Sequence, residues 1–142
     1  MAEQPFELAT VPAHLGLGAR VHQLPTFSGM AWYQQYERDF ASDGNEGRLV
    51  SLYTFDRSWD SWEMHPHGDE LVVCTAGEIM LWQDLPAGAA AHTLRAGQAI
   101  VNRAGVWHTA DVASAATVLF VTAGVGTQHR PRTHEKFTGF EK

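Results

Sequence analysis

The sequence predicts an all-β, single-domain protein folded as an antiparallel β-barrel or jelly roll. Three observations carry this. Short apolar segments recur at 62–65, 70–75, 78–83, 92–94, 99–101, 107–112 and 117–122, clusters of Gly, Pro or Ala-Ser separate them, and helical periodicity is almost absent over that stretch. A chain of 142 residues suits one domain built around one core. Its 44% hydrophobic and 18% charged residues are those of a globular protein, and no apolar run approaches the length needed to span a bilayer.

Residues 1–29 mix Pro, Gly and apolar residues without a period and read as an arm laid on the domain, with a short strand at 20–24. The aromatic-rich segment MAWYQQYERDF (30–40) and the alternating RLVSLYTF (48–55) flank a turn cluster, SDGNEG, and predict a hairpin. Helix is the alternative for 30–41, because Gln34, Glu37 and Arg38 are good helix formers and no Gly or Pro interrupts them. The barrel proper is expected over 30–123, and the polar segment 124–142 reads as an extended C-terminal tail.

Composition excludes some functions. A net charge of -6 disfavours a phosphate-backbone binder, so nucleic acid is not an expected partner. Cys74 is the only cysteine, which rules out an intramolecular disulfide and a thiolate zinc site; it lies in the apolar run LVVC and reads as a small buried hydrophobe. Residues 1–10 have neither a basic start nor an apolar stretch, so no secretory signal is read there and a cytoplasmic location is expected.

Eight histidines stand out, and their spacing decides their meaning. In WDSWEMHPHGDELVVCTAG (59–77), period-two geometry puts Glu63 and His65 on one face of a strand, with Trp62 and Met64 on the other. Pro66, Gly68 and Asp69 then turn the chain, and Glu70 opens the next strand, returning a carboxylate beside the imidazole of His65. In GQAIVNRAGVWHTADV (97–112), a turn at Arg103-Ala104-Gly105 leads into Trp107 and His108.

These two stretches together resemble the cupin superfamily. Its first motif runs Gly, five residues, His-x-His, three or four residues, Glu, six residues, Gly; its second runs Gly, five residues, Pro-x-Gly, two residues, His, three residues, Asn. Glu70 and Gly77 match the end of the first, His65 is its second histidine, and Glu63 stands in place of the first. Gly97, Gly105 and His108 match the second. Arg57, Arg103 and Val112 depart from the pattern. The resemblance implies a divalent metal held by Glu63, His65, Glu70 and His108, in a single cupin barrel. A second register takes His65 and His67 as the His-x-His but leaves one residue too few before Glu70, so His67 is kept as a further candidate ligand.

Two imidazoles with one or two carboxylates suit Fe(II), Mn(II) or Zn(II). The function expected is a metal-dependent enzyme of oxygenase, isomerase or lyase type acting on a small organic molecule, with Glu63 as a ligand or as a catalytic general base. The alternative is a non-catalytic binding or sensing module, metal-free if the histidines and carboxylates only satisfy one another. Trp62, Trp107 and Arg103 are the candidates for a substrate pocket, while Trp32, Trp59 and Trp82 read as core. His14, His22, His92, His129 and His134 have no partner at ligand spacing and read as surface or loop residues. Arg130 and Arg132 read as solvent-exposed, with pairing across a second subunit as the alternative. A homodimer is expected, through sheet edges or the N-terminal arm.

Overall fold

One long strand organises the fold. In the computed structural model, which describes residues 2–133, β5 (Glu70–Leu85) runs for 16 residues and belongs to two sheets at once. Its first half pairs with β7 (Ala99–Asn102) on one side and β9 (Ala116–Thr122) on the other. Its second half pairs with β6 (Gly88–Arg95) and β8 (Trp107–Asp111). The first sheet continues from β9 through β3 (Arg48–Phe55) and β1 (Ala13–Gly16) to β2 (Arg20–Gln23). The second continues from β8 through β4 (Ser61–Met64) to β10 (Gln128–Pro131). Every pairing is antiparallel, giving a jelly-roll arrangement rather than a closed cylinder.

The sequence suggested two strands at 70–75 and 78–83 with a turn at Gly77; the structure has one bent strand. Its buried side chains are Glu70, Val72 and Cys74 before the bend and Ile79, Leu81 and Gln83 after it, so the inward parity switches from even to odd. That switch requires an irregularity, found as a bulge between Cys74 and Ala76. Gly77 follows at φ +73°, where a Cβ would lie 2.1 Å from the carbonyl oxygen of Ala115, so only glycine fits.

Residues 30–39 form a helix, α1 (Met30–Asp39), and not the first strand of a hairpin. Trp32 and Tyr36, one turn apart, are its buried pair and pack with Leu24 and Leu49, with Phe27, Tyr33 and Phe40 around them. Aromatic richness is common to both readings of this segment; the four-residue spacing of the buried pair is what the helix uses. The other segments read as strands are strands, β2 at the short strand read over 20–24 among them, and β1 and β10 add further strands within the stretches read as arm and tail. Met1 and residues 134–142, His134 among them, lie outside the described residues.

Between the sheets lies a core of Val72, Cys74, Ile79, Leu81, Leu94, Ala110, Val112, Ala116, Val118 and Phe120. Cys74 is buried there, as its apolar surroundings in the sequence suggest. At one end of this core the inward positions turn polar: Glu70, Gln83, Asn102, His108 and Thr122 are all buried. No helix of the described residues is long and apolar enough to cross a membrane.

Candidate metal centre

Strand register assembles the polar end. His129 on β10 lies opposite Glu63 on β4, Glu63 opposite His108 on β8, and His108 opposite Gln83 on β5, so these four form one cross-strand row. Directly opposed residues share a face of the sheet. In the facing sheet, Glu70 lies opposite both Asn102 and Thr122. His65 follows the last residue of β4 and is tied down by its carbonyl, which accepts from Gly105 N–H at 3.0 Å. The turn after it is held by Asp69, whose carboxylate accepts from Ala104 N–H at 2.9 Å and from Arg103 at 3.0 Å.

Glu63, His65 and His108 each offer one ligand atom, and the three atoms lie within 4.8 Å of one another. Oε1 of Glu63 is 3.9 Å from Nε2 of both histidines. Glu70 sits beneath them, with Oε2 3.3 Å from His65 Nε2 and Oε1 3.2 Å from His108 Nε2. Its oxygens also accept from Thr122 Oγ1 at 2.7 Å and Asn102 Nδ2 at 3.1 Å, and Asn102 Oδ1 in turn accepts from Gln83 Nε2 at 2.8 Å. The carboxylate of Glu70 is thus locked in orientation by two neutral donors.

The hydrogen-bond network assigns the histidine tautomers. Thr127 Oγ1 donates to the Gly124 carbonyl at 3.0 Å, so it accepts from His65 Nδ1–H at 2.8 Å. His108 Nδ1 faces the Val106 carbonyl at 3.3 Å, an oxygen that only accepts. With Nδ1 carrying the proton on each neutral ring, both Nε2 atoms present a lone pair. Both are buried without a hydrogen-bond partner, although a Glu70 oxygen lies close to each. Two nitrogen lone pairs turned toward two carboxylates need positive charge between them. Either two protons, which the Nε2 atoms would donate to Glu70, or one divalent cation supplies it, and each uses both nitrogens. The residues present therefore fit a divalent metal, with outer hydrogen bonds of the kind that orient metal ligands.

In the metal-free protein the buried carboxylate and imidazoles favour one another's charged forms. Burial works against the charged form of Glu70, but the imidazoles of His108 and His65 outweigh it and hold the carboxyl below the usual carboxylate range. Burial likewise opposes charge on His108, and Glu70 outweighs it, raising the imidazole above its ordinary value.

Of the residues singled out in the sequence, the structure brings together Glu63, His65, Glu70 and His108. His67 is exposed, packs against Gly126 and is not part of the group. Trp62 and Trp107 alternate with Glu63 and His108 along their strands and so turn away from the site, where both carry the guanidinium of Arg130, at 5.3 and 4.6 Å. Arg103 is engaged with Asp69.

Two histidines read as surface residues have buried or site roles. His14 is buried at 1% exposure, between Tyr36 Oη and Asp43 Oδ2, both at 2.6 Å, and stacked on Phe40. It pins the β1–β2 hairpin to α1. His129 Nε2 reaches Glu63 Oε2 at 3.3 Å. Arg132 is engaged as well, with Asp111 and the carbonyls of Trp59 and Ala110. Tyr33 and Tyr53, not singled out by any motif, share a hydrogen bond at 2.8 Å near Glu63; burial pushes both phenols up, and the charge of Glu63 adds to it. No local spacing foretells these contacts, because each joins distant strands or the helix.

No family model matches the sequence, and no curated protein does. Solved structures do. An oxalate oxidase in complex with the substrate analogue glycolate is 15% identical with a TM-score of 0.50, over 57% of this chain and 45% of that one. A cupin-2 domain protein from Shewanella frigidimarina is 20% identical, over 60% of this chain and 71% of that one, with a TM-score of 0.45. A double-stranded β-helix domain protein from Klebsiella pneumoniae is 20% identical, over 60% and 76%, with a TM-score of 0.49. This chain spans less than half of the oxalate oxidase. At 15% identity the likeness to the oxalate oxidase is one of fold alone.

Proposed function

We propose that this protein is a metal-dependent enzyme of the oxygenase, isomerase or lyase type acting on a small organic molecule. The observation that carries the reading is the pair of buried Nε2 atoms, of His65 and His108, left without hydrogen bonds in front of two carboxylates. Glu63, His65, Glu70 and His108 are the proposed ligands, and Fe(II), Mn(II) or Zn(II) the proposed cation. Bound there, such an ion supplies Lewis acidity to two oxygens of a substrate. The residues divide the remaining work. Glu70, His65 and His108 are buried and held by Thr122 and Asn102, by Thr127 and by the Val106 carbonyl respectively, so they stay fixed. Glu63, with its side chain 31% exposed, serves either as the fourth ligand or, off the metal, as the base that accepts a substrate proton at a carboxylate oxygen.

A second reading is a non-catalytic module that binds or senses a small ligand without metal. The complete hydrogen bonding of Glu70 by Asn102 and Thr122 favours it, since the carboxylate is stable without a cation. Under either reading we propose a cytoplasmic homodimer. The outer face of the six-stranded sheet supports the pairing: Val50, Val121, Leu71 and Val101 form one apolar row across four strands, with Leu71 40% exposed.

Thermal unfolding separates the readings. Mn(II), Fe(II) or Zn(II) at about 100 times its Kd is expected to stabilise the protein by about 2.7 kcal/mol, and turnover is expected to depend on the metal. No shift with any of the three contradicts the metal reading, and stabilisation by a small organic ligand without turnover supports the binding module.

A further inference from the structure

Glu63 is the least constrained of the four proposed ligands. It lies on an edge-proximal strand, is partly exposed, and among the described residues accepts a hydrogen bond only from His129. The two oxygens of its carboxylate face different ways. Oε1 is 3.9 Å from both orphaned imidazole nitrogens, and Oε2 is 3.3 Å from His129 Nε2, which must be the donor because a carboxylate only accepts. His129 is outside the group of Glu63, His65 and His108 whose ligand atoms lie within 4.8 Å of one another, and its hydrogen bond to the centre is the one to Glu63.

The strand that carries His129 is firmly placed. β10 pairs along its whole length with β4, from Gln128 opposite Met64 to Pro131 opposite Ser61. Next to His129, Arg130 is held by Asp84 and by the faces of Trp62 and Trp107 on the outer side of the sheet. The inner side chain of this strand is thereby presented to Glu63 at a fixed register.

We propose that His129 is the positioning residue of the metal centre: by holding Oε2 of Glu63 it turns Oε1 toward His65 and His108 and so sets the affinity of the site for a divalent cation. The inference rests on the metal-centre reading above. An N–H donor on the outer oxygen of a carboxylate ligand fixes its orientation before the ion arrives, and loss of such outer partners typically costs about 10–100-fold in metal affinity.

The test is titration of the metal-free full chain with Mn(II), followed by calorimetry and by the free-ion electron paramagnetic resonance signal. His129→Ala is expected to weaken Mn(II) binding about 10–100-fold, while the thermal midpoint of the metal-free protein stays near that of wild type, since a half-exposed surface pair adds little stability. His129→Gln, which retains an N–H donor, is expected to recover part of the affinity. In a Glu63→Gln background, His129→Ala is expected to have little further effect. The proposal is overturned if His129→Ala binds Mn(II) as wild type does, if its effect simply adds to that of Glu63→Gln, or if it abolishes binding as His108→Ala does, which would make it a ligand. Wild-type protein that takes up no Mn(II) overturns both this proposal and the metal centre itself. Wild-type binding with an indifferent His129→Ala overturns this proposal alone.

Discussion

His108→Ala is expected to lower affinity for Mn(II) by more than the roughly 100-fold upper range of an outer-partner substitution, to the point that calorimetry registers no binding at micromolar protein. His108 has 0% exposure, its Nδ1 is directed to a backbone carbonyl, and its Nε2 is one of the two nitrogen donors that the described residues bring to the centre. Replacing it leaves one imidazole with the carboxylates, a donor set suited to weaker, more hydrated binding. The matched control is His67→Ala. His67 is three residues from Glu70 in sequence but exposed and outside the group, so its loss is expected to leave the affinity unchanged. Equal losses in the two variants would restore the register in which His65 and His67 act as the paired histidines.

The largest effect on stability is expected from Glu70→Ala in the metal-free protein, about 3–5 kcal/mol by analogy with other buried ion pairs that lose one partner. Four groups converge on this carboxylate: Thr122, Asn102, His65 and His108. Without it, two donors are left buried and unpaired, and two imidazoles lose the negative charge that faces them. Glu70→Gln retains the shape and one acceptor, so its cost is expected to be smaller. Urea unfolding checks both, as a lower midpoint at unchanged slope. The pH dependence has a definite sign. The Glu70 carboxyl is held below its ordinary value of 4.5, so its contribution is present above that value and is lost as pH falls through the folded one. His108 is raised above 6.5, so its contribution is present below that value and is lost as pH rises through the folded one. The stability gap between wild type and Glu70→Gln is therefore expected to be widest between these limits and to narrow on either side.

Much of the centre is legible in the sequence because it is built from local rules. Period-two alternation puts Glu63 and His65 together, a four-residue turn returns the chain at Glu70, and the turn at 103–105 starts the strand that carries His108. What escapes is whatever depends on pairing between distant strands. His129 meets Glu63 across a separation of 66 residues, through a register that no local pattern encodes. His14 is buried only because α1 and the segment holding Asp43 fold over it. The bend in β5 escapes for another reason: Thr75-Ala76-Gly77 has the composition of a turn, and only the parity of the buried residues on either side shows that one strand continues through it. Trp62 and Trp107 adjoin ligands in sequence and, for that very reason, face the other way in the sheet.

Two imidazoles and two carboxylates at one end of the core form a donor set for a divalent cation. Elemental analysis of protein purified without chelators and without a histidine tag tests it most directly. Close to one equivalent of Fe, Mn or Zn per chain is expected, falling to background in His108→Ala. Wild-type protein that is empty as purified and stays empty after incubation with all three metals would contradict it.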